Sequence, residues 1–399
     1  MKVSWRDHRI LFQLDGSISA LAWLQKNIVC MQTLRLDINF SLPGELLHDA
    51  MKGGRNLTHL SIESQYIEKL PPLPPKLKYL DVGYSTKLRS LPALPPTLRQ
   101  LHCVGCDALQ ALPSSLSTTA VSLLDCSSCG QLKCPPQLPS SLVELKFSHR
   151  CNLLRWPALP EGLERLDLSY CNKLTALPEL PASLSSLDCL HCYSLRKLPQ
   201  LAHTGITDLN LEHCLLLEEL PDMPDSLEQL NAQGLARVTR LPKLPTRSLR
   251  QLRISTTAIS VLPGSLPRLE QLWCNVTPIQ RLPLLPSCHE LCVSGCVALQ
   301  QLPEQLPASL TLLDCSECRA LVRLPAKLPP KLGYLNVSYC TALKQLPQLP
   351  PALKTLNCEA CSSLQQLPDL SKFRLKHIFA KGCVAVKNVR MGGCMLHLK

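Results

Sequence analysis

Five Cys-x-x-Cys pairs are the residues of this sequence whose type and spacing could most directly do chemistry. They are Cys103/Cys106, Cys126/Cys129, Cys189/Cys192, Cys315/Cys318 and Cys358/Cys361. The first two pairs together give the pattern C-x2-C-x19-C-x2-C, a spacing of four thiols that is typical of a zinc ribbon. A single cysteine could instead act as a nucleophile if a nearby base or cation lowered its pKa. Cys292, which follows His289 and Glu290, is the candidate for that role.

A short repeat runs through most of the chain and decides how these cysteines are interpreted. The segments LPALPPTLRQLHCVGCDALQA, LPELPASLSSLDCLHCYSLRK and LPQLPPALKTLNCEACSSLQQ share the pattern L-P-x-L-P-x-x-L-x-x-L-x-(V/L/C)-x-x-C-x-x-L. We take the second leucine of each L-x-x-L as position 0. It recurs every 19 to 23 residues, at Leu60, Leu80, Leu101, Leu124, Leu145, Leu166, Leu187, Leu209, Leu230, Leu252, Leu272, Leu291, Leu313, Leu335 and Leu356. Degenerate copies stand at Leu34 and Ile378.

The period and the order of leucines are those of the leucine-rich repeat, which predicts a solenoid. In each coil, positions 0 and +2 of a short strand should point inward. Positions −1, +1 and +3 should then face solvent on the concave side of a curved parallel sheet. The residue at +5 turns inward after the strand, and we expect the cysteine or asparagine there to satisfy backbone groups of its own and the next coil. Proline fixes φ near about −65°, so the convex side should be extended or polyproline II, with few helices.

This frame makes the paired cysteines core residues. All of them fall at +2 or +5, where other copies carry residues such as Val82, Leu168 and Val293. Because buried thiols behave as small hydrophobic groups, we predict neither a metal nor a cofactor. Cys292 falls at +1, but His289 at −2 and Glu290 at −1 are not spaced as a base and an orienting group. We therefore predict that the protein is not an enzyme; stoichiometric zinc or a highly reactive Cys292 would favour the alternatives.

Polar and aromatic side chains on the concave face carry the functional prediction. Consecutive coils align equivalent positions, so residues about 21 apart in sequence become neighbours. Asp167 and Asp188 share the +1 column, and like charges stacked in one column are destabilising unless they are screened or paired. A column of this kind favours a partner-binding surface, although a solvated face that follows repeat drift is the alternative. The predicted binding residues are His149, Arg165, Asp167, Tyr170, Asp188, His191, Asp208 and His213.

The ends of the chain divide it into three predicted segments. Residues 1–33 should form an N-terminal cap, because Ile18, Leu21, Leu24 and Ile28 have the spacing of a short amphipathic helix. Residues 34–385 should form an array of about 16 coils. Residues 386–399 should form a basic C-terminal tail.

Composition narrows the class of partner and the compartment. Evenly spread prolines, 35 in 399 residues, exclude a helical bundle. The net charge is +12, but the basic residues of the convex side are not interleaved with aromatic residues, so we expect a protein partner rather than nucleic acid. We expect no membrane span and no secretory signal, since no apolar run is long enough. The 22 cysteines should therefore stay reduced in a cytoplasm, that of the protein's own cell or of a host cell.

Two families contain closely similar repeats. The segment LPPLPPKLKYLDVGYS resembles the repeats of bacterial effectors of the YopM and IpaH type. The segment LSYCNKLTALPELPASLSSLDCLHCYSL, with cysteine at +5, resembles the leucine-rich repeats of plant TIR-NB-LRR immune receptors. The resemblance covers roughly residues 50 to 385. It implies an effector-like scaffold that binds a protein through its concave sheet, but it does not specify the ligand.

The sequence departs from the complete proteins of both families. In this sequence only MGGCMLHLK follows the last repeat, so we expect no ubiquitin-ligase domain of the IpaH type. Before Leu34 there is no GxxxxGKS/T phosphate loop, so we expect no nucleotide switch of the receptor type. The alternatives are a truncated member of a leucine-rich repeat ubiquitin-ligase family and an endogenous intracellular adaptor or immune-type repeat protein.

Overall fold

A computed structural model of the chain describes residues 2–6, 9–14, 18–40, 44–133, 136–149, 156–368, 370, 373, 375–383 and 395–397. The chain forms two compact units, Met1–Ile206 (unit 1) and Thr207–Lys399 (unit 2). Each unit is a solenoid of repeated coils, and each coil contributes one strand to a sheet along one side. The predicted solenoid fold is confirmed.

Unit 1 begins with a hairpin and continues as a parallel sheet. Strand β1 (Lys2–Arg6) pairs antiparallel with β2 (Arg9–Leu14), and β2 pairs in parallel with β3 (Thr33–Ile38). Each later strand of the unit pairs in parallel with the one before it. These strands are β4 (His59–Ser64), β5 (Tyr79–Asp81), β6 (Gln100–His102), β7 (Leu123–Asp125), β8 (Glu144–Lys146), β9 (Arg165–Asp167) and β10 (Ser186–Asp188).

The described residues of unit 2 form ten strands that also pair in parallel, each with the next in sequence. They are β11 (Asp208–Asn210), β12 (Gln229–Asn231), β13 (Gln251–Arg253), β14 (Gln271–Trp273), β15 (Glu290–Cys292), β16 (Leu312–Asp314), β17 (Tyr334–Asn336), β18 (Thr355–Asn357), β19 (His377–Phe379) and β20 (Met395–His397). From β5 to β18 the leucine at position 0 is the central residue of its strand, as the repeat predicts.

The leucine at position 0 determines both the register between strands and the pattern of burial. Leu145 pairs with Leu166, and Leu166 pairs with Leu187, so equivalent residues of neighbouring coils lie side by side. Leu166 and Leu168, at positions 0 and +2, are both almost completely buried. Residues at −1 and +1 are mostly half-buried, on the opposite side of the strand. We call the side that carries −1 and +1 the polar sheet face.

The side opposite the strands is largely extended, as the prolines predict. Isolated parallel bridges such as Ser90 to Ala111 and Ala176 to Lys197 connect these segments between coils. Pro113 has φ −68° and ψ 146°, the values of polyproline II. The exceptions are helix α2 (Gly44–Met51) and a 3₁₀ helix at Ser114–Thr118. Helix α2 lies in the long connection between β3 and β4, where GELLHDAM contains no proline to stop it.

The N-terminal region contains the predicted helix and a hairpin that the sequence analysis did not foresee. Helix α1 (Ile18–Asn27) packs against α2 and is followed by a 3₁₀ turn. Leu21, Leu24 and Ile28 are buried, as their spacing predicts. The division into a cap at residues 1–33, an array at 34–385 and a tail at 386–399 stays a prediction. Most of that tail lies outside the described residues, and Met395–His397 forms strand β20.

The cysteines at +5 form a ladder of buried thiols. Eight of these thiols donate a hydrogen bond to the backbone carbonyl oxygen of position +2 in the preceding coil; Cys106 donates to Val82 and Cys171 donates to Phe147, both at 3.1 Å. The same bond is made by Cys129, Cys192, Cys296, Cys318, Cys340 and Cys361. The expectation that this side chain serves the next coil was wrong. The N–H of Cys106 is already bonded within its own coil, to Cys103, and the thiol extends towards the coil before it.

From β5 to β19, a residue with a left-handed backbone at +4 bends the chain out of the strand. His149, Tyr170 and His191 have φ values of 59°, 60° and 57°, and glycine occupies the same position at Gly105 and Gly234. This bend corrects the prediction for position +3. Six serines at +3 are buried rather than solvent-facing: Ser127, Ser148, Ser169, Ser255, Ser316 and Ser338. Because the chain turns immediately afterwards, these hydroxyls lie against neighbouring coils, and the Ser148 Oγ donates to the Ser127 Oγ at 2.8 Å.

We expect Cys171→Ala to lower the free energy of unfolding by about 1–2 kcal/mol, because it removes a buried hydrogen bond and leaves a small cavity. Urea unfolding followed by circular dichroism measures the change. The matched control is Cys30→Ala at an exposed cysteine, which should change the stability by less than about 0.5 kcal/mol. Equal effects of the two substitutions would contradict a stabilising role for the ladder.

Candidate partner-binding face

The polar sheet face of β8 to β10 contains the charged columns that the sequence predicts. At position −1, Glu144 pairs in register with Arg165, and Arg165 with Ser186. At position +1, Lys146 pairs with Asp167, and Asp167 with Asp188. Asp167 and Asp188 therefore lie side by side on adjacent strands, as the repeat predicts.

Glu144 is the centre of an ion-pair network on this face. Its carboxylate lies 2.8 Å from Lys146 Nζ and 2.9 Å from Arg165 Nη2, and the Arg165 Nε also donates to it at 3.1 Å. Burial of Glu144 opposes ionisation, but the hydrogen bonds and charges of Lys146 and Arg165 outweigh it and lower the pKa of Glu144. The hydrogen bond to Glu144 raises the pKa of Lys146 despite partial burial. Both groups are therefore charged and held in position at neutral pH.

These strands enclose a shallow cavity of about 190 Å³. It is lined by Glu144, Leu145, Lys146, Arg165, Leu166, Asp167, Ser186 and Asp188. Pockets for small molecules usually measure about 300–1,000 Å³. A cavity of this size suits one protruding side chain of a partner better than a cofactor or a metabolite.

The aspartates at +1 also close the turn that follows each strand. Asp167 Oδ1 accepts the backbone N–H of Ser169 at 2.9 Å, and Asp188 Oδ1 accepts that of Leu190 at 2.8 Å. The same bond to position +3 is made at Asp81, Asp125, Asn210, Asn231, Asp314, Asn336 and Asn357. Asparagine closes the turn equally well, so the turn explains the side-chain oxygen at +1 but not the negative charge.

A ladder of aromatic rings follows the edge where these strands end. His149 stacks on Tyr170 with ring centroids 4.4 Å apart and 13° between planes, and Tyr170 lies 4.8 Å from His191. Tyr193 extends the ladder, since its hydroxyl lies 3.0 Å from His191 Nδ1. All three +4 residues of the ladder carry a left-handed backbone. That conformation costs a bulky residue about 1–2 kcal/mol relative to glycine.

The remaining two predicted residues lie in unit 2. Asp208, at −1 of β11, pairs in register with Gln229 and accepts a hydrogen bond from the Thr207 hydroxyl at 2.7 Å. His213 has a left-handed backbone, and its Nε2 lies 3.7 Å from Glu212 Oε1. The structure thus brings six of the eight predicted residues together in unit 1 and places Asp208 and His213 in unit 2.

A nucleophilic role is unfavourable for Cys292, the cysteine that the sequence suggested for it. Cys292 lies at +1 of β15 and is half-buried. Burial, followed by the negative charges of Asp314 and Glu290, raises the pKa of Cys292 to about 12. A thiol of this kind is protonated at neutral pH and is a poor nucleophile. In the part of the chain that the structure describes, no group of three His, Cys, Asp or Glu side chains could hold a metal ion.

Sequence reasoning missed a pair of residues on the polar sheet face of unit 2. The guanidinium carbon of Arg253 lies 3.9 Å from the ring centroid of Trp273. Both residues stand at +1, on the adjacent strands β13 and β14. The signal that could have revealed them is the loss of Asp or Asn at +1, in a stretch that also lacks cysteine at +5.

Comparison with known proteins finds likeness at the level of structure. No protein-family model and no curated protein matches the chain. The solved structure of YopM from Yersinia pestis, described as a leucine-rich effector protein, is 30% identical over 82% of this chain and 84% of its own, with a TM-score of 0.53. YopM from Yersinia enterocolitica is 26% identical over 87% of this chain and 88% of its own, also with a TM-score of 0.53. Among the described residues, no helix has both the length and the apolar character to cross a bilayer.

We expect Glu144→Gln to lower the free energy of unfolding at pH 7 by up to about 1 kcal/mol, since the ion pairs are partly exposed. The folded state lowers the pKa of Glu144, so its stabilisation is present above the unfolded pKa of about 4.3. That stabilisation is lost as the pH falls through the folded pKa. Urea midpoints of the wild type and the variant should therefore converge between pH 7 and pH 3. Glu164→Gln, at an exposed and more distant partner of Arg165, is the control; a gap that widens in acid would contradict the assignment.

We expect Cys292 to react slowly with maleimide in the native protein at neutral pH. Because its pKa is raised to about 12, its labelling rate should keep rising above pH 9 rather than level off. Peptide mapping by mass spectrometry separates Cys292 from the exposed Cys30, which is the internal control. Labelling of Cys292 as fast as Cys30 at pH 7 would reopen a nucleophilic role.

Proposed function

Because the chain belongs to the leucine-rich repeat proteins, we propose that it is a non-enzymatic scaffold that binds another protein through the polar sheet face of unit 1. Folds of this class typically serve as binding scaffolds. The observation that carries the proposal is the stacked ladder of His149, Tyr170 and His191. Glycine or asparagine would meet the left-handed backbone at +4 with less strain, so the fold itself does not require these rings.

The geometry supports a rigid recognition surface. The ladder offers flat aromatic faces, and aromatic residues and arginine are enriched among the residues that dominate binding energy. Beside it, the cavity between β8 and β10 can take one partner side chain. Arg165, Asp167 and Asp188 supply charges of both signs that orient the partner. The parallel pairing of the strands and the ion pairs of Glu144 already hold these groups in position. Binding therefore orders few side chains and loses little entropy.

The setting that we propose is effector-like action inside a cell, either the protein's own cell or a host cell. The likeness to YopM, described as a leucine-rich effector protein, supports it. The state of the thiols agrees: the nineteen cysteines of the described residues are free, and most are buried. Free thiols in this number are typical of a reducing compartment. Asp208 and His213 are proposed as further binding residues of unit 2.

The test uses two substitutions that preserve the fold. Asp188→Asn removes the charge but keeps the side-chain oxygen that closes the turn. Tyr170→Asn removes the central ring of the ladder and suits the left-handed backbone. We expect the double variant to weaken partner binding at least about tenfold, because interface hot spots of this kind contribute roughly 2 kcal/mol or more.

The measurement is affinity capture from cell extract with quantitative mass spectrometry, followed by titration of the captured partner. The matched control is Lys173→Gln, at an exposed residue beyond the strand of the same coil, which should bind like the wild type. A partner that binds the double variant and the wild type equally would remove this face from consideration.

A further inference from the structure

Three consecutive coils of unit 2 depart from the rule that governs position +1. At β13, β14 and β15 that position carries Arg253, Trp273 and Cys292 instead of aspartate or asparagine. Other side chains take over the closure of the turn. Ser255 Oγ accepts the N–H of Asn275 at 3.1 Å, and Asn275 Oδ1 accepts the N–H of Ser294 at 2.9 Å. Because these acceptors stand at +3, the +1 positions of β14 and β15 are released from the turn.

The released position of β14 holds Trp273, on which the arginine at +1 of β13 stacks. The Arg253 guanidinium lies over the Trp273 ring at 3.9 Å, and both side chains are half-buried. The Trp273 indole N–H is shielded and has no hydrogen-bond acceptor among the described residues. No internal hydrogen bond therefore explains a tryptophan at this position. Val276, at +4 of the same coil, is 58% exposed and adds an apolar rim at the end of the strand.

Charge is distributed unevenly around this pair. Arg253 forms no ion pair with any of the described residues, unlike Arg250, which lies between Glu228 and Glu270. The neighbouring −1 positions of β12 to β14 are the neutral amides Gln229, Gln251 and Gln271. Acidic side chains lie on the other side of Trp273: Glu290 on β15 and Asp314 on β16. The face thus presents one unpaired cation flanked by amides, with an aromatic ring beside it.

We propose that Arg253 and Trp273 form a docking point for an acidic segment of a partner protein. A carboxylate of the segment binds the free edge of the Arg253 guanidinium, assisted by the flanking glutamine amides. An apolar side chain next to it packs on Trp273 and Val276. The stack holds the guanidinium in place, so the carboxylate meets a preorganised donor. This inference rests on the proposed function as a protein-binding scaffold, but it uses a different surface from β8–β10.

The experiment selects ligands with the full-length protein as bait and a display library of random dodecapeptides as the probe. We expect enriched peptides to carry aspartate or glutamate next to a bulky apolar residue. An enriched peptide is then synthesised, and its affinity is measured by fluorescence anisotropy. Arg253→Gln and Trp273→Ala should each weaken binding at least about tenfold. Thermal unfolding of each variant verifies that the fold is intact.

A double-mutant cycle separates direct pairing from a general loss of structure. A version of the peptide with the acid replaced by its amide should bind the wild type weakly, but it should bind Arg253→Gln no worse than the acidic peptide does. Arg323→Gln, at an exposed arginine of unit 2 that lies outside the strands, is the matched control and should bind the peptide as the wild type does.

The proposal would be overturned by enrichment of peptides without acidic residues, by equal affinity of Arg253→Gln and the wild type, or by displacement of the peptide by oligothymidylate in an Arg253-dependent manner. The last result would assign the pair to nucleic acid. The two surfaces fail separately. Loss of peptide binding only in the unit 1 variants overturns this inference and supports the β8–β10 face. Loss of cell-extract partners only in the Arg253 and Trp273 variants supports this inference and removes the β8–β10 face from consideration.

Discussion

The turn that leaves each strand is the constraint on which the rest of the structure depends. Parallel pairing of coil on coil satisfies the backbone within the strands, but every coil must then bend away without leaving buried N–H and carbonyl groups unpaired. Three positions solve this together. The N–H at +3 is accepted by Asp or Asn at +1 in most coils, +4 adopts a left-handed backbone, and +5 returns a thiol or hydroxyl to a +2 carbonyl. Because the solution repeats, the coils stack in register.

Because the turn requires certain side chains, only residues of the polar sheet face that the turn does not require are informative about function. The turn explains the side-chain oxygen of Asp167, which accepts the N–H at +3, and it explains the cysteines at +5, which donate to a +2 carbonyl. Glu144, at −1, has no part in the turn, yet it is held by two cations. The charged network on β8 and β9 is therefore a property of this surface rather than of the repeat.

The sequence predicted the strands and the core closely, because one leucine in each coil sets both. Every repeat leucine from Leu80 to Leu356 centres a strand, and Cys103 and Cys106 are buried as their frame requires. Elements outside the repeat were not predicted from the sequence. The β1–β2 hairpin has no repeat that defines it, and α2 forms where a long connection lacks proline. The burial of Ser148 at +3 was missed because strict alternation ignores the left-handed residue that follows. The Glu144 network and the Arg253–Trp273 stack join residues that the period aligns, but the period does not encode the side-chain conformations that bring their charged and aromatic groups into contact.

Functional positions in such a repeat are best recognised where a residue strains the backbone of its coil or lacks the hydrogen bond that its position usually supplies. Tyr170 places a large ring on a left-handed backbone that glycine accepts freely in other coils, and its ring contacts with His149 and His191 offset part of that strain. Trp273 cannot accept the hydrogen bond that closes the turn of its coil, and Ser255 of the preceding coil accepts the Asn275 N–H instead. These departures differ in kind, since one accepts strain and the other reassigns a hydrogen bond. Both nevertheless put an aromatic ring where the fold alone would favour a small or acidic residue, and aromatic rings with a neighbouring arginine are what protein interfaces favour most.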